Sequence, residues 1–348
     1  MPKKVIVERS GVTHLVEMTE GVPEPGEGEL VIKIVASGLC HTDLHMIDSD
    51  WPVKPTAHTP GHEGVGIVLR IGESVTGFVV DDRVGIPWLG FACGACDLCE
   101  NGNEQYCQHA KNTGYSVDGA WADYMTVNAK FAVHIPASVS SIQAAPILCA
   151  GLTTYTALRK SNVKAGEWLL ITGAAGGLGH LAVQYAKAAG VRVVAADIGT
   201  NKLEFVESLG ADFALDPHAL SGEQFLEQVR QKTGGGVHGV LALAPCVASV
   251  ELAIQTLRRT GTAVIVALPP GEVKIPIFDL VTKGLTIVGS LVGTRADLKA
   301  ALGFVARGEV QCNTHVEPMA NYQEAVAKCR DGAFEGRVVF ANAPDGVA

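Results

Sequence analysis

The chain has 348 residues, 47% hydrophobic and 18% charged, enough to bury a sizeable core and, on the usual size scale, to form two domains. A formal net charge of -9 without a Lys/Arg run argues against nucleic acid as a partner, and no apolar stretch approaches the length of a membrane span. The opening MPKKVIVERSG lacks the apolar run of a signal peptide, so small-molecule chemistry in the cytoplasm, away from any membrane, is the expectation.

From Glu29 to about Gly85, short β-branched runs alternate with glycine turns in ELVIKIVASG, GVGIVLRIG and DDRVGIP, which predicts a small, strongly bent β-structure. Residues 93–107, CGACDLCENGNEQYC, then hold four of the nine cysteines in a stretch rich in Gly and Asn that cannot keep its shape by apolar burial alone. In a reducing compartment such cysteines are more often metal ligands or redox groups than disulfides, and an odd total excludes complete pairing. CAGLTTYTALRK has helical spacing. After it, WLLITGAAGGLGHLAVQYAKAAGVRVVAADIG places an apolar run, a glycine turn, a helix and a second apolar run within one βαβ length. In that helix Leu178, Leu181, Ala182 and Tyr185 fall on one stripe. The βα alternation continues through VHGVLALA, TAVIVAL and LTIVGSLV, predicting a doubly wound parallel sheet in an α/β chain. Helical ANYQEAVAKCRDG and strand-like RVVFA are too short to stand alone and are expected to return to the first domain.

In GAAGGLG, residues 173–179, the small positions Ala174, Gly176 and Gly179 offset the usual dinucleotide fingerprint. The turn lies between a predicted strand and a helix, so backbone N–H groups and the helix N-terminus face a pyrophosphate. Asp197 ends the next strand, where a carboxylate accepts hydrogen bonds from an adenosine ribose and repels a 2′-phosphate. The expected cofactor is therefore NAD rather than NADP, with Lys202 in reach of the same ribose.

The CxxCxxC spacing followed by a fourth cysteine suits a closed tetrahedral zinc site formed by Cys93, Cys96, Cys99 and Cys107. An iron–sulfur site is the rival, although bacterial ferredoxins bring their fourth cysteine after three residues and before proline. Here Cys107 lies further away and precedes Gln108. Three separated pieces, GLCHTDLH, GHEG and ILCAG, supply Cys40, His62 and Cys149, a Cys₂His set that leaves a fourth zinc position open.

GLCHTDLH, GHEGVG, CGACDLCENGNEQYC, APILCAG, GAAGGLGHLAVQYAKAAG, VGSLVG and EGRVVF occur in order, and nearly the whole chain resembles the zinc-dependent medium-chain alcohol dehydrogenases of the yeast and bacterial type. The resemblance implies a GroES-like β-domain (1–152 and 289–348, with a structural zinc lobe at 91–110) joined to a Rossmann domain at 153–288, with the active site between them. It implies two zinc ions per chain: a catalytic one on Cys40, His62 and Cys149 with Glu63 beside it, and a structural one on the four crowded cysteines. Asp43 matches the carboxylate that orients the histidine ligand. His41 and Arg337 match pyrophosphate contacts, and Gly176, Gly177, Leu178, Gly179, Val266, Leu268, Ser290 and Val292 match further cofactor contacts. Trp51 and Trp88 match pocket-lining positions, where Ile47 and Leu268 depart from the yeast-type residues. Cys246, Cys312 and Cys329 match no ligand and read as packing residues. A homotetramer is also implied.

The implied reaction is NAD-dependent interconversion of short primary alcohols and aldehydes, with Thr42 holding the substrate hydroxyl and its proton passing by way of the cofactor ribose to His45. Imidazole suits that exchange because it titrates near neutrality. A secondary-alcohol or sorbitol-type polyol dehydrogenase is the alternative. An electron-transfer protein and a non-catalytic zinc- and nucleotide-binding module are the readings from other classes.

Overall fold

The apolar alternation of ELVIKIVASGL forms the longest strand, Glu29–Leu39, and the first domain is built around it. The computed structural model describes residues 1–8 and 11–341. Along its first half this strand pairs antiparallel with Tyr124–Asn128, and along its second half with Arg337–Ala341, so the C-terminal RVVFA returns to the first sheet. Gly64–Ile71, Arg83–Ile86 and Val133–His134 continue the sheet on one side, and Thr314–Glu317 closes the other. Register shifts between Val31 and Ile32 and between Ile34 and Ala36 bend the central strand. Leu30, Ile32, Val68, Val84, Ile86 and Met125 fill the core against it.

The chain divides into two compact units, Met1–Leu152 with Val292–Ala306 and Cys312–Ala348, and Thr153–Leu291 with Arg307–Gln311. At the last crossing, each unit grips its own end of the chain. Gln184 exchanges two hydrogen bonds with the Gln311 backbone at 2.9 and 2.8 Å, and Gln143 does the same with Cys312 at 2.9 and 2.8 Å.

The second unit holds a six-stranded, all-parallel sheet in the spatial order Phe213–Leu215, Arg192–Ala196, Trp168–Thr172, Val237–Ala242, Leu257–Ile265, Thr286–Gly289. Numbered along the chain this is 3-2-1-4-5-6, the dinucleotide-binding order in which strand succession reverses beside the first strand. Its strands are apolar on both faces because helices cover both. Trp168–Thr172, for example, is buried throughout. In helix Gly179–Ala188, Leu181, Ala182 and Tyr185 are buried, while Leu178 sits half-buried at its N-cap. Among the described residues no helix is long and apolar enough to cross a membrane.

Candidate active site and metal centres

Cys40 follows the long strand and caps helix His41–Asp48, and the turn between them determines how the first candidate ligand set is held. The Asp43 carboxylate, 1% exposed, accepts from the Cys40 backbone N–H at 2.9 Å through one oxygen. Its other oxygen accepts from the Gly61 N–H and faces His62 Nδ1, both at 3.0 Å. One buried carboxylate thus ties two ligand-bearing loops together and directs His62 Nε2 away from itself. That Nε2 is buried and, among the described residues, without a hydrogen-bond partner.

Cys149 comes from a π-helical stretch, Ile147–Gly151, set between helices Ser141–Pro146 and Leu152–Lys160. The wider turn is a recurrent feature of functional sites. The donor atoms of Cys40, His62, Glu63 and Cys149 all lie within 4.8 Å of one another, and all four residues are buried. Burial without solvent leaves thiols, an orphaned imidazole nitrogen and a carboxylate converging, a donor set that fits zinc. The electrostatics are correspondingly tense. A hydrogen bond with Cys149 and the charge of Arg337 draw the Cys40 thiol well below its ordinary range, while the same contact and burial push Cys149 up. Burial raises Glu63 to about 7 although Arg337 opposes it.

Glu63 pairs through one oxygen with Arg337, itself 5% exposed, and its second oxygen has no hydrogen-bond partner among the described residues. A Cβ at Gly38 would lie 1.8 Å from that second oxygen, so only glycine at this point of the strand leaves Glu63 in place. The expected pyrophosphate contact Arg337 is therefore seen here paired beside the ligand set.

The four crowded cysteines also converge. Their Sγ atoms stand 3.6 Å apart for Cys96–Cys99 and Cys93–Cys107, and 3.9 Å for Cys93–Cys99 and Cys96–Cys107. Thiolates about 2.3 Å from one tetrahedral ion are about 3.8 Å apart, so the residues fit zinc. Disulfides need sulfurs at bonding distance, and a cluster must insert several iron and sulfide atoms between its cysteines. Backbone N–H groups of Cys93 and His109 point at Cys107 Sγ at 3.5 and 3.4 Å. Among the described residues, the apolar cluster at this lobe is small: Leu89, Ala92, Cys107 and Phe131.

Around His62 stands an aromatic wall. Trp88, buried, meets the His62 ring edge-on at 5.3 Å, and Trp51 meets Trp88 edge-on at 6.4 Å. Tyr115 touches both indoles at 5.3 and 5.8 Å. His45 stacks on Trp51 at 4.7 Å, and its Nδ1 lies 2.8 Å from Asp50. Thr42 Oγ1 lies 3.9 Å from Cys40 Sγ. His41 is exposed at the start of the same helix, whereas Ile47 is buried. Sequence reasoning missed Tyr115 and Asp50. Tyr115 lies in a loop without periodicity, while a carboxylate five residues beyond His45, just past a helix end, was a readable signal.

In the second unit, Asp197 receives the Ala175 N–H through one oxygen and the Ile198 N–H through the other, both at 2.8 Å. Lys202 Nζ is 3.8 Å away. Gly173 takes a φ of +64°, and a Cβ at Gly179 would lie 2.1 Å from the Gly173 carbonyl oxygen, so the glycines let helix and strand approach. Gly176 closes the turn by donating to Gly173, while Gly177 and Leu178 carry the chain half-buried into the helix. Val266 extends the fifth strand through a bond to Ala242, and Leu268 beyond it is exposed. Ser290 is buried, with its hydroxyl unpartnered among the described residues. Val292, in the first unit, takes a φ of +32°. Cys312 is buried and Cys329 half-buried, but Cys246 is exposed at a helix N-cap and is not a packing residue.

Residues 26–137 match the alcohol dehydrogenase GroES-like domain, and residues 177–307 match the zinc-binding dehydrogenase domain. An alcohol dehydrogenase of Geobacillus stearothermophilus is 48% identical over 91% of this chain and 93% of its own length. One from a Moraxella strain is 44% identical over 97% of this chain and 98% of its own. The structure of an acetophenone reductase from Geotrichum candidum, solved with NAD, matches with a TM-score of 0.85 at 26% identity, covering 98% of this chain and 97% of that one.

Proposed function

The chain belongs to the zinc-binding alcohol dehydrogenase family, and from that premise we propose that it interconverts short-chain primary alcohols and aldehydes with NAD, carrying two zinc ions per chain. The observation that carries this reading is the buried convergence of Cys40, His62 and Cys149 with an aromatic wall beside it. When bound, zinc acts as a Lewis acid that acidifies an alcohol hydroxyl, and NAD accepts the hydride.

The protein's own residues do the rest. Asp43 holds the His62 ring so that Nε2 is the nitrogen offered, which fixes the tautomer and sharpens the ligand. Thr42 accepts the hydrogen bond of the substrate hydroxyl, and His45, at the edge of the site, passes the departing proton to solvent. Trp51 and Trp88 exclude water and limit bulk beside the reacting carbon. Arg337 neutralises Glu63, and Asp197 organises the glycine turn that would hold the cofactor's pyrophosphate. Cys93, Cys96, Cys99 and Cys107 hold the shape of their lobe. A cytoplasmic homotetramer is part of the same proposal, as the sequence resemblance implies.

The test is NAD reduction measured across graded alcohols with elemental analysis of the same preparation. Ethanol and propan-1-ol are expected to exceed propan-2-ol and sorbitol in kcat/KM. A protein that prefers secondary alcohols or polyols would instead be the alternative enzyme.

A further inference from the structure

Helix His41–Asp48 stops at Ser49, whose left-handed backbone (φ 50°, ψ 40°) turns the chain back on itself. The next two residues then meet the imidazole of His45 from two directions. The Asp50 carboxylate lies in reach of Nδ1 at 2.8 and 3.1 Å, and Trp51 stacks on the ring at 4.7 Å with 25° between planes. The turn is pinned from outside by Lys54, which donates to the Ser49 carbonyl at 2.6 Å, and by Arg330, which holds Asp48 through two hydrogen bonds. The arrangement repeats the buried Asp43–His62 pair at a second place in the same domain. There both side chains are sealed, at 1% and 0% exposure, whereas here His45 and Asp50 are 24% and 52% exposed. A sealed pair suits a metal ligand, and a half-open one suits a base that exchanges protons with water.

We propose that Asp50 is a positioning residue for alcohol oxidation, acting on His45 by accepting Nδ1–H so that Nε2 presents its lone pair to the proton that leaves the substrate. The inference rests on the reading of His45 as the group that hands this proton to solvent. In balance, neutral His45 gains the proton at Nε2 while keeping Nδ1–H, stands as imidazolium beside the Asp50 carboxylate, and then releases the Nε2 proton to water. Without Asp50 the imidazole is free to carry its hydrogen on Nε2 instead, and in that tautomer it offers no acceptor to the site. Trp51 holds the plane of the ring but not its tautomer, so the carboxylate is the discriminating contact.

The experiment is a double-mutant cycle in the zinc-loaded enzyme with Asp50→Ala, His45→Gln and the pair, with Asp50→Glu as the conservative control. Asp50→Ala is expected to lower kcat for ethanol oxidation several-fold near neutral pH, less than the roughly 10²-fold usual for general acid–base catalysis because water at an open edge replaces part of the relay. KM for ethanol and zinc content stay as in the parent, and Asp50→Glu restores part of the loss. The pair should be no slower than His45→Gln alone, to within about twofold, since Asp50 then has nothing to position. Nitrogen NMR of labelled histidine, with His45 assigned by its disappearance in His45→Gln, should show hydrogen on Nδ1 in the parent and its partial transfer to Nε2 in Asp50→Ala. If His45→Gln itself leaves kcat unchanged, the relay reading falls and the inference with it. If His45→Gln is slow while Asp50→Ala is not, or if the two losses multiply, or if only KM moves, then the relay stands and Asp50 is merely a residue of the turn.

Discussion

Glu104, inside the cysteine-rich lobe, and Arg295, 191 positions later, share a fork of charge-assisted hydrogen bonds. Arg295 Nε donates to both carboxylate oxygens at 3.0 Å, Nη2 donates to one at 2.6 Å, and the Arg295 backbone N–H donates to the other at 2.9 Å. The guanidinium also covers the Phe131 ring at 4.6 Å and donates to the Lys130 carbonyl at 3.0 Å. A lobe with so small an apolar cluster is therefore fastened to the start of helix Arg295–Ala306 by polar contacts.

Because the Glu104 side chain is only 11% exposed while that of Arg295 is 46% exposed, the fork ranks between a surface and a buried pair. Glu104→Gln is expected to cost about 2 kcal/mol, seen as about 4–8 °C in Tm. Burial pushes the Glu104 carboxyl up, but the hydrogen bonds and charge of Arg295 more than reverse this and hold it below the ordinary range. The stabilisation is thus fully present above the ordinary carboxylate pKa of about 4.3 and is lost as pH falls through the lower folded value. Melting curves of the parent and Glu104→Gln should differ at neutral pH and converge only in acid. A constant gap across that range would show that the carboxylate charge is not what fastens the lobe.

The two ligand sets should separate cleanly in mutants. Cys93→Ser removes one corner of a set that holds a lobe, so metal content should fall by about one atom per chain and Tm should drop. Cys149→Ser should abolish turnover in a protein that still melts cooperatively, since the π-helical stretch carrying it is apolar and buried along its whole length. Metal analysis on each variant decides the matter. Iron and labile sulfide in the parent, or equal loss of stability in both variants, would overturn this division of roles.

The parallel sheet could be read from the sequence because each strand is an apolar run bounded by turn residues and separated by a helical period, as at WLLIT and RVVAA. The convergence of Cys40, His62 and Cys149 could be expected because GLCHTDLH, GHEG and ILCAG each carry a distinctive residue in a recognisable register. Less legible was anything made by residues distant in sequence with no local signal. The Glu63–Arg337 pair, 274 positions apart, and the Glu104–Arg295 fork depend on where strands and helices arrive, and no periodicity announces that. The π-helical stretch at Cys149 was likewise invisible, since a wide turn and an ordinary helical turn share the same apolar spacing. Cys246 was misread because composition says that cysteines are usually buried, whereas this one caps a helix in the open.

Asp197 is bound on both oxygens by the glycine turn and the next residue, so its charge is fixed at the strand end where a 2′-phosphate would arrive. Like charges brought together there cost several kcal/mol, and the kcat/KM ratio of NAD to NADP is expected to exceed about 10². Asp197→Asn keeps an acceptor for the Ala175 N–H and removes the charge, so it should lower that ratio at least about tenfold while NAD itself still binds. Steady-state kinetics with both cofactors provide the check. A parent enzyme that uses the two equally would contradict the role given to Asp197.

Trp88 is the better probe of substrate size, because Trp51 also stacks on His45 and its removal would disturb proton transfer as well as space. Trp88 is 6% exposed and packs at right angles to the His62 ring at 5.3 Å, so its indole occupies volume next to the candidate ligand set. Trp88→Leu keeps an apolar wall and opens room there, whereas Trp88→Ala would add a large cavity cost of about 3–5 kcal/mol. A methyl group's worth of space is worth about 1–3 kcal/mol in discrimination, so the kcat/KM ratio of propan-2-ol to propan-1-ol should rise by about tenfold or more in Trp88→Leu. The change should appear in substrates branched next to the hydroxyl more than in ethanol, which has no branch to fill the freed space. An unchanged ratio in a folded, zinc-loaded variant would make Trp88 a packing residue of the aromatic cluster and shift the control of substrate size to Trp51 and Tyr115.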